Sequence, residues 1–143
     1  MGEQVYTETI VVSAPAESVW DVLADVARWP EWTASMRDVQ LLDPPPLRAG
    51  LRVRIKQPRL PQVTWTVQDV VPVRSFSWAA RSGGVHTVAD HRLDPTPDGT
   101  RVTLELRQSV PLAGVFHRLF GGLTQRYMRM EAEGLKRRAE SGH

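Results

Sequence analysis

The sequence predicts an α+β chain in which about seven antiparallel strands precede one long C-terminal helix, with two short helices inserted after the first strand. Three observations carry that prediction. Hydrophobic and polar residues alternate with a period of two in segments spread from Leu51 to Leu106, and proline or glycine separates the segments. The period lengthens to three and four residues between Pro15 and Ala27. It lengthens again beyond Pro111, this time for about eight turns. The chain has 143 residues, no cysteine and 41% hydrophobic residues, which suits one domain over 1–143 that needs no disulfide or metal staple.

Val5 to Val12 open the chain as a strand, with Ile10 and Val12 on one face and Thr7 and Thr9 on the other. Ser13-Ala14-Pro15 ends it. A helix is expected from about Pro15, because the first helical turn does not need the missing N–H, and Glu17 suits the positive end of the helix dipole. Val19, Trp20, Leu23 and Ala27 make its apolar face. Trp29-Pro30-Glu31-Trp32 is expected to break this helix, since the residue before proline avoids helical geometry, and a second short turn follows. Val39 to Leu42 reads as a brief strand, and Asp43-Pro44-Pro45-Pro46 as a stiff loop.

Leu51, Val53 and Ile55 then alternate with Arg52, Arg54 and Lys56, a half-buried strand with a basic outer face. Val63, Trp65 and Val67 repeat the pattern, followed by Phe76 and Trp78, with Pro72 and Gly83-Gly84 as punctuation. A further strand covers about Val85 to Leu93. Pro95-Thr96-Pro97-Asp98-Gly99 turns the chain into the alternating Val102, Leu104 and Leu106. In the last helix Leu112, Phe116, Leu119, Leu123, Tyr127, Met130 and Gly134 form one stripe, with a weak point at Gly121-Gly122. Ser141-Gly142-His143 is expected to fray.

A net charge of +2 is too small an excess to point to a nucleic-acid partner. No apolar run approaches the roughly 20 residues of a bilayer span, so stable membrane insertion is not expected. MGEQVYTETIVV lacks the layout of a signal peptide, which makes the cytoplasm the expected location. The composition leaves one oddity: five tryptophans beside three phenylalanines and two tyrosines.

Ile10-x-Val12-x-Ala14-Pro15-x-x-x-Val19-Trp20-x-x-Leu23-x-Asp25, followed by Arg28-Trp29-Pro30-Glu31-Trp32, resembles the opening of polyketide cyclase/dehydrase-like members of the START and Bet v 1-like (SRPBCC) superfamily. Asp98-Gly99-Thr100-Arg101-Val102-Thr103 resembles the hairpin before the last strand in the same group, and the similarity spans essentially the whole chain. The resemblance implies a helix-grip fold, a curved sheet wrapped around the C-terminal helix with a deep apolar cavity between them. Aromatases and cyclases, lipid and ubiquinone carriers and hormone receptors share that fold, so fold alone does not choose among them.

Trp65 and Trp78 fall on inward strand faces with Phe76, where they either line a pocket for a flat apolar guest or fill a core. Trp20 reads as helix packing. Trp29 and Trp32 flank a proline near the expected cavity mouth, Trp29 as a pin for the turn and Trp32 as the one to face the cavity. His86 and His91 are five positions apart on one strand and so point to opposite faces. If Leu93 points inward, His91, Ala89 and Thr87 share its side, and His91 is the single catalytic candidate, a general acid or base for an aldol-type cyclisation or dehydration. Its other possible role is that of a hydrogen-bonded structural histidine. Phe116 and Tyr127 on the helix stripe join the ligand-binding candidates, and a buried tyrosine hydroxyl can pair with a ligand carbonyl or with the fold itself.

Arg118, Arg126, Arg129, Lys136, Arg137 and Arg138, balanced in part by Glu131, Glu133 and Glu140, read as a solvated helix face. There is no metal-ligand spacing, phosphate loop, Gly-x-Ser-x-Gly elbow or cysteine nucleophile, so no metal or cofactor is expected. The leading expectation is a protein that binds a small hydrophobic, ring-containing molecule, as a monomer or homodimer. A polyketide cyclase or aromatase using the same cavity, or a lipid or quinone carrier, stands as the alternative.

Overall fold

A computed structural model describes the backbone of residues 2–110 and 113–142 and the side chains of 2–109 and 121–142. The elements run β1 (Gly2–Val12), α1 (Ala16–Ala24), a 3-10 helix (Val26–Glu31), β2 (Asp38–Leu41), β3 (Arg52–Lys56), β4 (Val63–Val71), β5 (Ser75–Ser82), β6 (Val85–Thr96), β7 (Gly99–Val110) and α2 (Ala113–Glu140). Seven antiparallel strands form one sheet in the order β1-β7-β6-β5-β4-β3-β2, so the first strand sits beside the last and the rest is a meander. The sheet curves around α2, the helix-grip arrangement.

Hairpin chemistry sets the register. Gly83 and Gly84, at φ 55° and 84°, supply the two left-handed residues of a tight turn between Ser82 and Val85. Gly99 ends the β6–β7 turn where a Cβ would lie 2.1 Å from the Val12 carbonyl oxygen, so only glycine lets this hairpin close on the end of β1. Beside it the Thr100 hydroxyl donates to the Ala14 carbonyl at 2.8 Å and is fully buried.

The first helical region differs from the sequence reading. Helix α1 ends at Ala24, before Trp29-Pro30, and the Trp-Pro pair lies inside the following 3-10 helix. Pro30 takes the second position of the turn that the Trp32 N–H closes on the Trp29 carbonyl at 3.0 Å, where its fixed φ fits and no N–H is needed. The break is therefore one step earlier than proline alone implies. Trp29 is fully buried, and its indole N–H donates to the Leu23 carbonyl at 2.9 Å, capping the end of α1 from the next element. β1 begins earlier than expected, at Gly2, and β2 spans Asp38–Leu41 rather than Val39 to Leu42.

Helix α2 runs through Gly121-Gly122 without interruption. Its seat is set by Gly134, where a Cβ would lie 2.1 Å from the Trp32 carbonyl oxygen, so helix and loop touch backbone to backbone. Along its other side Gln125 and Lys136 donate to the carbonyls of Thr7 and Val11, and Arg129 pairs with Glu8. Those contacts cover the open edge of β1, a strand that would otherwise offer unpaired carbonyls to another chain.

The buried face of α2 is Tyr127, Met128, Glu131, Ala132, Leu135 and Ala139. Met130, expected on the stripe, is only half-buried, and Met128 takes the inward place. Glu131, expected in solvent, is buried as well. The expected stripe steps from Tyr127 to Met130, whereas the buried arc steps by four from Tyr127 through Glu131 to Leu135.

Candidate functional site: a cavity between sheet and helix

Strands β3 to β7 and helix α2 enclose a cavity of about 510 Å³. Its apolar wall includes Trp65 on β4, Trp78 and Ala80 on β5, Ala89 on β6, Leu104 and Leu106 on β7, and Met128 on α2. Trp65 and Trp78 lie on adjacent strands with ring centroids 5.6 Å apart and planes inclined by 36°, so they form one aromatic surface. Period-two alternation puts them there, since Val67 pairs with Trp78 and Val53 with Trp65 on the concave side.

On β6 the residues Thr87, Ala89, His91 and Leu93 are all buried, as expected for one shared face. His91 is 3% exposed and lines the cavity. Its ring stacks on Phe76 at 4.1 Å between centroids and 8° between planes, with Trp29 and Trp78 edge-on to it. The Nδ1 atom lies 3.2 Å from the Phe76 carbonyl oxygen. A carbonyl only accepts, so the neutral ring carries its proton on Nδ1 and leaves Nε2 as the free base.

That Nε2 lies 3.9 Å from Oε2 of Glu131, a second buried titratable group on the cavity wall. Burial pushes the His91 imidazole down to about 4, against the upward pull of the Phe76 carbonyl. Burial pushes the Glu131 carboxyl up to about 8. At neutral pH the two therefore stand mainly as a free imidazole base and a protonated carboxylic acid. The gap is too long for a direct hydrogen bond, yet a ligand oxygen could lie within bonding distance of both. Among the described residues no cluster of three or more His, Cys, Asp or Glu could hold a metal ion.

The mouth is bordered by the β3–β4 loop, with Gln57, Arg59, Leu60 and Pro61 on the cavity. Tyr127 lines the cavity and donates its hydroxyl to the Pro58 carbonyl at 2.5 Å, tying this loop to α2. The Lys56 ammonium donates to the carbonyls of Gln57 and Leu60.

Of the residues singled out from the sequence, Trp65, Trp78, His91 and Tyr127 line the cavity. Phe76 lies behind His91, and Trp32 is buried against Trp29 at 5.3 Å between ring centroids; neither borders the cavity. Phe116 falls outside the described side chains. Trp29 touches Trp32, Phe76, Trp78 and His91, which puts it behind the site rather than in it. Glu131 and Gln108 were missed. The spacing of four that links Tyr127, Glu131 and Leu135 is the signal that could have found Glu131.

The fold and the hollow beneath it define a helix-grip protein. The chain belongs to the family described as polyketide cyclase / dehydrase and lipid transport, which matches residues 3–140. No curated protein matches the sequence. Among solved structures it is similar to the Zhui aromatase/cyclase from Streptomyces sp. R1128, at 21% identity and TM-score 0.79, covering 97% of this chain and 94% of that one. A norcoclaurine synthase point mutant from Thalictrum flavum superposes at TM-score 0.79 with 12% identity, covering 99% and 96%. A hypothetical protein from Helicobacter pylori gives TM-score 0.82 at 11% identity, covering 95% and 88%. Identities this low carry the fold and leave the chemistry to the residues. Among the described residues no helix is long and apolar enough to cross a membrane.

Proposed function

We propose that this chain binds a small hydrophobic, ring-containing molecule in the cavity between sheet and α2, with residues 1–143 acting as one ligand-binding domain. The observation that carries the reading is the paired indole surface of Trp65 and Trp78 on a cavity of about 510 Å³, a size in the range of small-molecule sites. Flat apolar rings gain stacking as well as burial there. The structurally similar Zhui protein is an aromatase/cyclase, a name that fits such a guest, and the family description adds lipid transport. Titration with 2-naphthol is expected to quench tryptophan emission saturably, and Trp65→Ala is expected to weaken binding roughly tenfold without loss of fold. An absence of saturable quenching, or an unchanged Kd in the folded variant, would overturn the reading.

The pairing of His91 with Glu131 favours a second reading, proton transfer on the bound molecule. His91 Nε2 would take an α-proton from a ligand carbonyl compound while Glu131 gives its proton to the carbonyl oxygen. The C–H electron pair becomes the new C=C bond and the former C=O π pair becomes the O–H bond, leaving an enol, an imidazolium and a carboxylate. An enol formed beside a second carbonyl is the nucleophile of an aldol cyclisation, with proximity supplied by the cavity. Deuterium exchange at the α-carbon of α-tetralone, followed by NMR, is expected to be accelerated by the protein and to fall in His91→Ala and Glu131→Gln. Exchange that both variants leave unchanged would remove the pair from the chemistry.

A further inference from the structure

The polar groups of the cavity are not confined to the His91 end. On β6 and β7, His91 pairs with Leu104 and Thr87 pairs with Gln108. The second rung is four residues along both strands, about 13 Å from the first at the usual strand rise. Gln108 and Thr87 line the same cavity as His91 and Glu131. Between the two rungs stand Ala89 and Leu106, paired with each other, and Trp78, paired with Ala89. The wall is thus polar, then apolar over a length suited to two or more rings, then polar again.

Gln108 differs from His91 and Tyr127 on this wall. The His91 ring is held by the Phe76 carbonyl and the Tyr127 hydroxyl by Pro58, whereas the Gln108 side-chain oxygen is buried without a hydrogen-bond partner. A buried, unpaired acceptor is a standing cost to the fold. The terminal torsion of a glutamine is broad and roughly two-fold, so a half-turn exchanges its oxygen and its NH2 toward the cavity. With its oxygen left unpaired in this way the amide can meet a group that both donates and accepts, and a hydroxyl is the smallest group that does both.

We infer that the cavity selects an elongated ligand with polar groups at both ends, and that Gln108 is a specificity-determining residue that pairs with a hydroxyl at the end away from His91. The inference rests on the ligand-binding reading above and adds to it the shape and polarity of the guest. One ring bearing a single polar group can use only one rung. A two-ring diol can place one hydroxyl between His91 Nε2 and Glu131 and the other on the Gln108 amide, with its rings against Trp78 and Leu106.

Three probes of nearly equal shape test this: 4,4′-dihydroxybiphenyl, 4-hydroxy-4′-methylbiphenyl and 4,4′-dimethylbiphenyl, with Kd read from tryptophan emission. The diol is expected to bind about tenfold tighter than the mono-ol, the ordinary gain when a buried unpaired amide finds a partner. Gln108→Met keeps the volume and removes the amide, so the diol and mono-ol should then bind within about twofold of each other while 4,4′-dimethylbiphenyl binds as before, which also reports that the variant is folded. Equal affinities for diol and mono-ol in the unaltered protein overturn the inference without recourse to any variant. A preference that survives in folded Gln108→Met overturns it too, while the ligand-binding reading stands. If none of the three probes binds, that reading falls and the inference falls with it.

Discussion

The space beneath the sheet is packed solid at one end and hollow at the other, although the same strands wall both. At the end covered by α1 and the 3-10 helix, Val12, Leu23, Trp29, Phe76, Leu93, Val102 and Leu135 are all fully buried. Toward the β3–β4 loop the same strand faces carry Ala80, Ala89 and Thr87, and the cavity opens. Along β6 the inward series changes from the large Leu93 and His91 to the small Ala89 and Thr87 as it leaves the packed end. His91 stands at the border, with the Phe76 ring on one side and open space on the other. One helix cannot fill a curved seven-stranded sheet. The two short helices plug one half of the concavity, and small side chains leave the other half to a guest.

The largest expected break in this comparison lies at the packed end. Trp29→Ala removes a fully buried indole and its hydrogen bond to Leu23, and is expected to destabilise the fold by on the order of 4 kcal/mol in urea unfolding. A loss below about 1 kcal/mol would show that this end is not close-packed.

At the border the expected effect depends on pH. The Glu131 carboxyl is raised from 4.5 to about 8 in the fold, so its contribution is fully present below pH 4.5 and is lost as pH rises through 8. His91 is lowered from 6.5 to about 4, so its contribution is present above 6.5 and is lost as pH falls through 4. Between pH 5 and 9, Glu131→Gln should remove a decline on the order of 3 kcal/mol, making the variant the more stable protein at pH 9. Parallel stability curves for the two proteins would show that Glu131 ionises freely.

The smallest effect is expected at the hollow end. Ala80→Leu grows into the cavity and should change stability by less than about 1 kcal/mol while weakening 2-naphthol binding, whereas Val102→Leu at the packed end should cost about 1–3 kcal/mol. Equal costs at the two sites would erase the contrast between the two ends.

Alternation made the sheet legible. Leu51, Val53 and Ile55 are buried as their spacing implies, Gly83-Gly84 turns where expected, and Thr87, Ala89, His91 and Leu93 share a face. Trp65 and Trp78 meet because a period of two leaves a strand residue only two faces to choose between. Helix faces were less legible. An apolar stripe is read from apolar residues, so a glutamate in the correct phase is assigned to water, and Glu131 was hidden by its own charge. The break at Ala24 was misplaced because proline marks where an α-helix cannot continue, not where it stops.

The sequence alone determined the strands, their turns and the long final helix, because those depend on local periodicity and on residues close together in the chain, while its motifs carried the family resemblance. The tertiary structure decided what the chain can do with them. Only folding brings β6 within 3.9 Å of α2 and so sets an imidazole beside a carboxyl in a dry space, where neither holds its charge at neutral pH. Only folding leaves the Gln108 oxygen without a partner on the cavity wall. Burial and pairing belong to the assembled interior, and no spacing along the chain encodes them.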